Sequence, residues 1–299
     1  MKTSFFITLI SLFQCCHAQP QPGAKLEANK NNNTLLWEIS GKDLKKPSFL
    51  FGTFHLMCKE DIHFSSGLMA ALKDSKEVYF EMDLDDPANT LGALFFMNMK
   101  NGVSLKDLYT EAEYKKLQAF FTDSLKVSLA LMHKMKPSFL EAFLYPKMMP
   151  CKNMSGVEQE LLKIAATEKK EIKGFETIAF QASVFDSIPY SEQAKSLYNT
   201  IDSLNNYRMY LDTMMLVYQS QQLDRIESLF SKPEFGLKDG LEILLDRRNI
   251  NWVAQLKNIL PEKNVFIAVG AGHLVGKKGL IALLKKEGYT LRPLKNMDE

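Results

Sequence analysis

Two segments decide the fold of this 299-residue chain: residues 48–55, which read SFLFGTFH, and residues 265–273, which read VFIAVGAGH. Each is a short apolar run, typical of a buried strand, followed by Gly-x-x-His. The glycine allows a sharp turn as the chain leaves the strand. His55 and His273 then stand just past the carboxyl ends of two strands, where open α/β sheets bind ligands. Because the chain has only five histidines, this repeated setting predicts one site assembled from two distant segments.

Working outward from these segments, further strand patterns lie near both ends and in the middle of the chain, with long helical stretches between them. That arrangement predicts an α/β fold with a mixed central sheet and helical insertions, and a helical lid over the strand ends. The other predicted strands are 35–39, 76–80, 171–175 and 289–294, and the predicted helical stretches are 90–149 with a break at Pro137, 157–167, 191–230, 241–260 and 278–286.

The composition favours a large core and argues against some partners. Hydrophobic residues make up 46% of the chain, which is enough to bury one large domain or two small ones. The formal net charge is only +2 and no long basic block occurs, so the sequence predicts no binding to nucleic acid or to an anionic membrane.

The N-terminus has the pattern of a secretory signal peptide. Lys2 provides a positive start, residues 5–13 are mainly apolar, and Ala18 is a small residue at the expected cleavage position. We therefore expect a signal peptide at 1–18, a polar flexible leader at 19–33 and one domain at 34–299. An ordinary first helix or an uncleaved anchor is the alternative for 1–18, and lipid attachment at Cys15 or Cys16 is the second choice for the mature terminus.

The mature protein is expected to be exported, either periplasmic or secreted, with no transmembrane segment, because no later apolar stretch is long enough to span a bilayer. Two cysteines, Cys58 and Cys151, remain after the predicted cleavage. An oxidising compartment permits a disulfide between them, which we expect. Cys58 also lies three residues after His55, a spacing seen in metal sites, so a role in metal binding is the alternative.

Four polar side chains fall at the carboxyl ends of predicted strands: His55, Glu81, Glu176 and His273. Imidazole and carboxylate groups are the ligands that hard-to-borderline divalent metals prefer, and open coordination positions make such a metal catalytic. The pattern predicts a hydrolytic site in which a metal-activated water is the nucleophile and a spare glutamate is the general base. The alternative for each residue taken singly is a satisfied structural polar group.

The order of motifs resembles that of the TraB/GumN family, which includes the Tiki-type membrane metalloproteases. Gly-Thr-x-His at 52–55, the acid Glu81 after the next strand, and Gly-x-Gly-His-Leu-x-Gly at 270–276 carry the resemblance. It extends from about residue 35 to the C-terminus. Supporting segments are 156–161 (GVEQEL), 174–177 (GFET) with Gln181, 244–252 (LLDRRNINW) and the closing strand and helix at 269–284.

This resemblance implies a fold shared with erythromycin-esterase-like and ChaN-like proteins. It also implies a divalent-metal-dependent hydrolase that acts on a peptide or protein, with Mn, Co or Zn as the metal. Transferred residue by residue, it makes His55 and His273 metal ligands and Glu81 a ligand or general base. Arg248 would stabilise negative charge that develops on the substrate, and Glu176 is a possible additional site residue.

The expected function is thus an exported metal-dependent peptidase, and two alternatives remain. One is a ChaN-like protein that holds haem or a metal in the same cleft without catalysis. The other is a non-catalytic interaction protein that has kept the fold. Paired histidines beside a glutamate and an arginine favour the enzyme, because a haem-binding protein needs neither a general base nor a partner for an oxyanion.

Overall fold

A six-stranded sheet and a separate two-stranded ribbon contain the named strands of the described chain. The computed structural model describes residues 26–29, 33–83, 96–230 and 241–298. In chain order, the strands are β1 (Leu36–Ser40), β2 (Ser48–Thr53), β3 (Met57–Cys58), β4 (Glu77–Met82), β5 (Met154–Ser155), β6 (Glu171–Glu176), β7 (Val265–Gly270) and β8 (Thr290–Pro293).

The sheet is mixed, as predicted, with strand order β6-β4-β7-β2-β1-β8. The four strands β6, β4, β7 and β2 run parallel, whereas β1 pairs antiparallel with both β2 and β8. The register of β2 with β7 places Gly52 opposite Val269 and Thr53 opposite Gly270. The two Gly-x-x-His segments therefore leave the sheet side by side at one edge.

Helices connect these strands and form the rest of the described fold. Short 3₁₀ or π turns at Lys59–Asp61, Phe120–Ser124, Leu129–Met132, Glu141–Leu144, Glu242–Asp246 and Ala271–His273 supplement them. The α-helices are α1 (Ser66–Asp74), α2 (Leu105–Leu108), α3 (Glu111–Ala119), α4 (Pro137–Leu140), α5 (Tyr145–Met148), α6 (Val157–Thr167), α7 (Ile178–Asp186), α8 (Tyr190–Asp202), α9 (Leu204–Gln219), α10 (Leu223–Phe230), α11 (Arg247–Ile259) and α12 (Leu280–Lys286).

The sheet is covered on both faces, which explains why its central strands are continuously apolar. All six residues of β2 are buried. On one face, side chains such as Phe49 and Phe266 pack with α1 and α6. On the other face, side chains such as Leu50 and Ile267 pack with α11 and α12, where Trp252 is completely buried. Since successive strand residues point to opposite faces, neighbouring positions contribute to two separate cores.

A third core lies within the helical insertions, between helices α2–α5, α8 and α9. The disulfide between Cys58 and Cys151 joins the ribbon strand β3 to the chain just before β5, across 93 residues of sequence. The predicted pairing is confirmed. It joins the end of the helical stretch that contains α2–α5 to the segment that follows β2.

Two helical predictions need correction. Residues 191–230 do not form one or two long helices but parts of three, α8, α9 and α10. The chain leaves helical geometry at Ser203, with φ −119° and ψ 37°, and again at Gln221, with φ +55°. Within 96–149 the helices are short, and Pro137 opens α4 at its first position, where a missing N–H is tolerated.

Within the described ranges, no helix has the length and apolar character required to cross a bilayer. The predicted signal peptide and most of the predicted leader lie outside these ranges, so cleavage after Ala18 stays a prediction. The closer likeness to erythromycin-esterase-like and ChaN-like folds also stays a prediction, beyond the mixed α/β architecture described above.

Candidate functional site

The three residues predicted as metal ligands meet around Gly270, at the carboxyl end of β7. A Cβ atom on Gly270 would lie 3.2 Å from Glu81 Oε1, 3.6 Å from His55 Nε2 and 3.7 Å from His273 Cδ2. The parallel strands β2, β4 and β7 bring these side chains to one sheet edge, as the sequence predicts. Glu81 lies within β4 itself rather than beyond its end. A side chain at position 270 would reduce the space that the three groups share.

His273 is buried, and its hydrogen bonds define its tautomer. Its Nδ1 lies 2.6 Å from Asn249 Oδ1, and Asn249 Nδ2 donates to the carbonyl of Lys278 at 2.9 Å. The amide oxygen must then accept from Nδ1–H, which leaves Nε2 with its lone pair. Burial lowers the pKa of His273 to about 3, so the ring is neutral at physiological pH. The Trp252 ring packs against the imidazole at 4.4 Å between centroids.

Glu81 is held as an ionised carboxylate. Its Oε1 accepts from the backbone N–H of Gly270 at 2.9 Å, and its Oε2 accepts from Arg248 Nη2 at 2.6 Å. Burial raises the pKa of Glu81, but the neighbouring His273, Arg248 and His55 outweigh it and lower the pKa to about 2. Oε1 lies 3.6 Å from His273 Nε2.

Arg248 stands at the centre of the buried charges. Its Nε and Nη2 donate to Glu176, Nη2 also donates to Glu81, and Nη1 donates to the Leu244 carbonyl and to His273 Nε2. All five N–H groups of the guanidinium therefore have acceptors. Burial lowers the pKa of Arg248, whereas its bonds to Glu176 and Glu81 outweigh that effect and raise it.

Glu176 lies beside the predicted ligands but faces the arginine. Its Oε1 accepts from Trp252 Nε1 at 2.8 Å, and its Oε2 accepts from Gln181 Nε2 at 3.1 Å. Together with the bonds from Arg248, these donors occupy both carboxylate oxygens. Glu176 thus orients Arg248, and in this arrangement it has no oxygen facing the two histidines.

His55 has a different partner, Glu158 in the first turn of α6. Its Nδ1 lies 2.7 Å from Glu158 Oε1, and Thr53 Oγ1 donates to the same oxygen. Burial of the ring lowers the pKa of His55, but the charge and hydrogen bond of Glu158 outweigh it and raise the pKa to about 9. Although neighbouring protein groups surround the ring, 72% of the side-chain surface remains open to solvent in the cavity. Its Nε2 is free to face the site.

Glu158 and Asn249 are the site residues that the strand-end argument missed, since neither follows a strand. Both lie inside segments that carry the family resemblance, at 156–161 and 244–252. The start of α6 lies close against the His55 turn, since a Cβ atom on Gly156 would lie only 2.7 Å from the His55 carbonyl oxygen. A glycine is needed there for α6 to begin against the His55 turn.

The donor set fits a divalent metal, although its members are not all at ligand distance from one another. Metal bonds of about 2.1 Å at tetrahedral angles place two donors about 3.4 Å apart, close to the 3.6 Å between His273 Nε2 and Glu81 Oε1. In the described part of the chain, only Cys58, Glu60 and Cys151 offer three donor atoms within 4.8 Å of each other, and these cysteines are disulfide-bonded. Metal binding at the histidines would thus require side-chain movements.

The polar cluster opens into a cavity of about 430 Å³. His55, Glu81, Arg248 and His273 line one part of it, together with Thr53 and Gln181. The remaining described wall is apolar and comes mainly from the helices and the π turn before α11. Its residues are Phe54, Leu56, Tyr145, Val184, Phe185, Leu211, Met214, Tyr218, Ile226, Leu229, Leu244 and Leu245.

Comparison with known proteins gives matches over most of the chain. The model of the TraB/PrgY/gumN family matches residues 35–293. The chain is 21% identical to Metalloprotease TIKI2 of Danio rerio, over 96% of this chain and 67% of that protein. It is 24% identical to Metalloprotease TIKI1 of Xenopus tropicalis, over 95% and 66%. It is also 24% identical to Metalloprotease TIKI1 of Homo sapiens, over 87% and 61%. The chain thus spans roughly two thirds of the length of these relatives.

Proposed function

Because this chain belongs to the TraB/PrgY/gumN family, we propose that it is an exported, divalent-metal-dependent hydrolase that cleaves peptide bonds. The observation that carries the proposal is the meeting of His55, Glu81 and His273 around Gly270. Two imidazoles and a carboxylate are a donor set typical of catalytic metals. The name metalloprotease, borne by relatives at 21 to 24% identity, supports both the metal and a peptide or protein substrate.

In this proposal His273 Nε2, His55 Nε2 and an oxygen of Glu81 would hold the ion, with Mn²⁺, Co²⁺ and Zn²⁺ as candidates. His273 Nε2 would then exchange its hydrogen bond from Arg248 Nη1 for the metal. When bound, the ion would polarise the substrate carbonyl and supply an activated water. The pKa of Glu81, about 2, makes its carboxylate a weak base, so we assign Glu81 to metal binding rather than to proton abstraction. Because a ligand imidazole must be neutral, His55 would lose the proton on Nε2 and keep the Nδ1–H that Glu158 accepts.

Arg248 takes a role different from the one that the family resemblance implies. Its N–H groups are all directed at protein acceptors, and four of the five bond to Glu81, Glu176 and the Leu244 carbonyl rather than to His273. Instead, Arg248 compensates the charges of Glu81 and Glu176 and fixes the orientation of Glu81. We therefore assign Arg248 as a positioning residue whose effect on substrate is exerted through Glu81.

Two outer residues orient the imidazoles. Asn249 selects the His273 tautomer whose Nε2 carries the lone pair, and Glu158 holds His55 through Nδ1 so that Nε2 faces the site. Partners of this kind fix the ring orientation of ligand histidines in metal sites, which supports the assignment.

Export is supported by the disulfide between Cys58 and Cys151, since disulfides persist mainly in oxidising compartments. Mass spectrometry of the protein recovered from the host's exported fraction tests this part. A mature chain that begins at Gln19 is expected. Retention of residues 1–18 would contradict cleavage, and a lipid-modified cysteine would favour the second choice.

The hydrolase is tested with purified protein in two steps. Calorimetry with Mn²⁺, Co²⁺ and Zn²⁺ is expected to find one ion that binds, and a peptide library incubated with that ion is expected to yield cleaved products. Glu81→Gln should lose cleavage, whereas Glu111→Gln, at a carboxylate 84% exposed on α3, should retain it. Failure to bind any of the three ions, together with failure to cleave, would overturn the proposal.

A further inference from the structure

The apolar wall of the cavity has no part in the proposed hydrolysis. Among the described lining residues, the histidine, glutamate and arginine side chains are those of His55, Glu81, Arg248 and His273, which form the strand-end cluster. The remaining wall is formed by α7, α9, α10 and the turn before α11. Its side chains include Val184, Leu211, Met214, Ile226, Leu229 and Leu245.

This wall is fixed in position relative to the polar cluster. The hydroxyl of Tyr218 on α9 donates to the carbonyl of Gly52 at 3.0 Å, and its ring stacks on Phe54 with centroids 5.2 Å apart. Gly52 and Phe54 belong to the same turn as His55. The helical wall and the predicted metal ligand are thus joined by one hydrogen bond and one ring contact, so the cavity is largely formed before a ligand enters.

We propose that this wall is a subsite for a large apolar side chain of a peptide substrate, next to the bond cleaved at the strand-end cluster. The inference rests on the proposed function and adds the class of substrate to it. A cavity of about 430 Å³ has the size of a small-ligand pocket, for which about 300 to 1,000 Å³ is typical. An apolar side chain would gain from leaving water there. A charged side chain would lose its hydration and find no charged partner among the described residues of this wall.

The first measurement is binding without turnover, on the purified full chain and without added metal. Two pentapeptides, acetyl-Gly-Gly-Leu-Gly-Gly-amide and its counterpart with aspartate in the centre, differ only in the side chain that the wall would bind. We expect calorimetry to find binding of the leucine peptide that is at least about tenfold tighter, the lower limit for discrimination by an apolar pocket.

Matched variants assign this preference to the wall. Met214→Gln places an amide in the cavity, whereas Met209→Gln makes the same change on the same helix at a side chain 69% exposed. A second pair is Leu245→Gln, on the wall, with Leu216→Gln at an exposed position of α9. The wall variants should lower the affinity for the leucine peptide by about tenfold, and the exposed variants should leave it unchanged. Circular dichroism checks that each variant is folded.

Several results would overturn the inference. These are equal affinity for the two peptides, absence of binding by both, or an equal loss in the wall variant and its exposed control. Tighter binding of dodecanoate than of the leucine peptide would assign the wall to an acyl chain instead. The two proposals fail separately. Cleavage of a library regardless of side chain would support the hydrolase and contradict the subsite. Leucine-selective binding without cleavage by any metal-loaded form would support the subsite and contradict the hydrolase.

Discussion

The two Gly-x-x-His turns have the same local sequence pattern but opposite surroundings. His273 is 4% exposed, bonded to a neutral amide and has a pKa lowered to about 3 by burial. His55 is 72% exposed and paired with the carboxylate of Glu158, and although burial of the ring lowers its pKa, that pairing raises it to about 9. The strand and its glycine decide where each imidazole stands, and residues from other elements decide its charge.

The difference indicates a division of labour within the site. His273 keeps its Nε2 lone pair, which accepts from Arg248 Nη1, on a ring that Asn249 and Trp252 hold in place. His55 carries a proton and faces solvent, so it can rearrange when a metal or substrate arrives. Changes around the two turns should therefore have unequal consequences for metal binding and stability.

The largest effect is expected when an imidazole is removed. His273→Ala should abolish measurable binding of the metal that the wild type prefers, because it removes one of the two imidazole donors from a buried site. His55→Ala should weaken binding by more than about 100-fold, since loss of outer partners alone costs 10- to 100-fold. Calorimetry measures both, and His63→Ala, at an exposed histidine, is the control. Unchanged affinity in His273→Ala would rule out a shared metal site.

Removing the central cation, which also positions Glu81, should lower the stability of the folded protein. Arg248→Met leaves the buried carboxylates of Glu81 and Glu176 without their partner and should lower the free energy of unfolding by about 3 to 5 kcal/mol. Arg247→Met changes the neighbouring arginine, whose side chain is 68% exposed, and should cost at most about 1 kcal/mol. Urea unfolding followed by circular dichroism compares them. Equal losses in the two variants would mean that the buried network contributes nothing specific.

The outer partners should have smaller effects than the imidazoles they hold. Asn249→Ala frees the His273 tautomer and should lower metal affinity by about 10- to 100-fold. The loss of metal affinity in Glu158→Gln should fall in the same range or below it, because His55 is more exposed than His273. Asn251→Ala and Glu168→Gln, at exposed positions, are the matched controls. A larger loss in Glu158→Gln than in Asn249→Ala would reverse the division of labour between the turns.

The sequence predicted the sheet and the strand-end residues because short apolar runs followed by glycine are local signals. The predicted ends of β2, β6 and β7 lie within about two residues of the observed ones, and helix α6 has the predicted bounds. It could not predict where α8, α9 and α10 divide, since the backbone leaves helical geometry at Ser203 and Gln221 without a proline or glycine to mark the position.

The partners of the two histidines were beyond sequence reasoning for a physical reason. Glu158 and Asn249 lie on helices whose register against the sheet is decided by tertiary packing, and that packing has no periodic signature. The hydrogen-bond partners of Arg248 could not be predicted for the same reason. Its five N–H groups donate to acceptors in β4, in β6, in the segment after β7 and in the turn before α11. A local motif can place an imidazole, but only the assembled fold shows what that imidazole bonds to.

The smallest expected effect is a shift in the pKa of His55, and it tests directly whether Glu158 causes the difference between the two histidines. In metal-free protein, NMR of the histidine ring protons should find that His55 titrates near pH 9, whereas His273 stays neutral down to about pH 3. The pKa of His55 in the folded protein is raised above its value of about 6.5 in the unfolded chain. Protonated His55 therefore contributes its full stabilisation below a pH of about 6.5. The contribution is lost as the pH rises through 9. Glu158→Gln should lower the pKa of His55, since burial then acts without the carboxylate that opposes it, and should leave His273 unchanged. A pKa for His55 that stays near 9 in this variant would show that Glu158 is not the cause of the difference between the two turns.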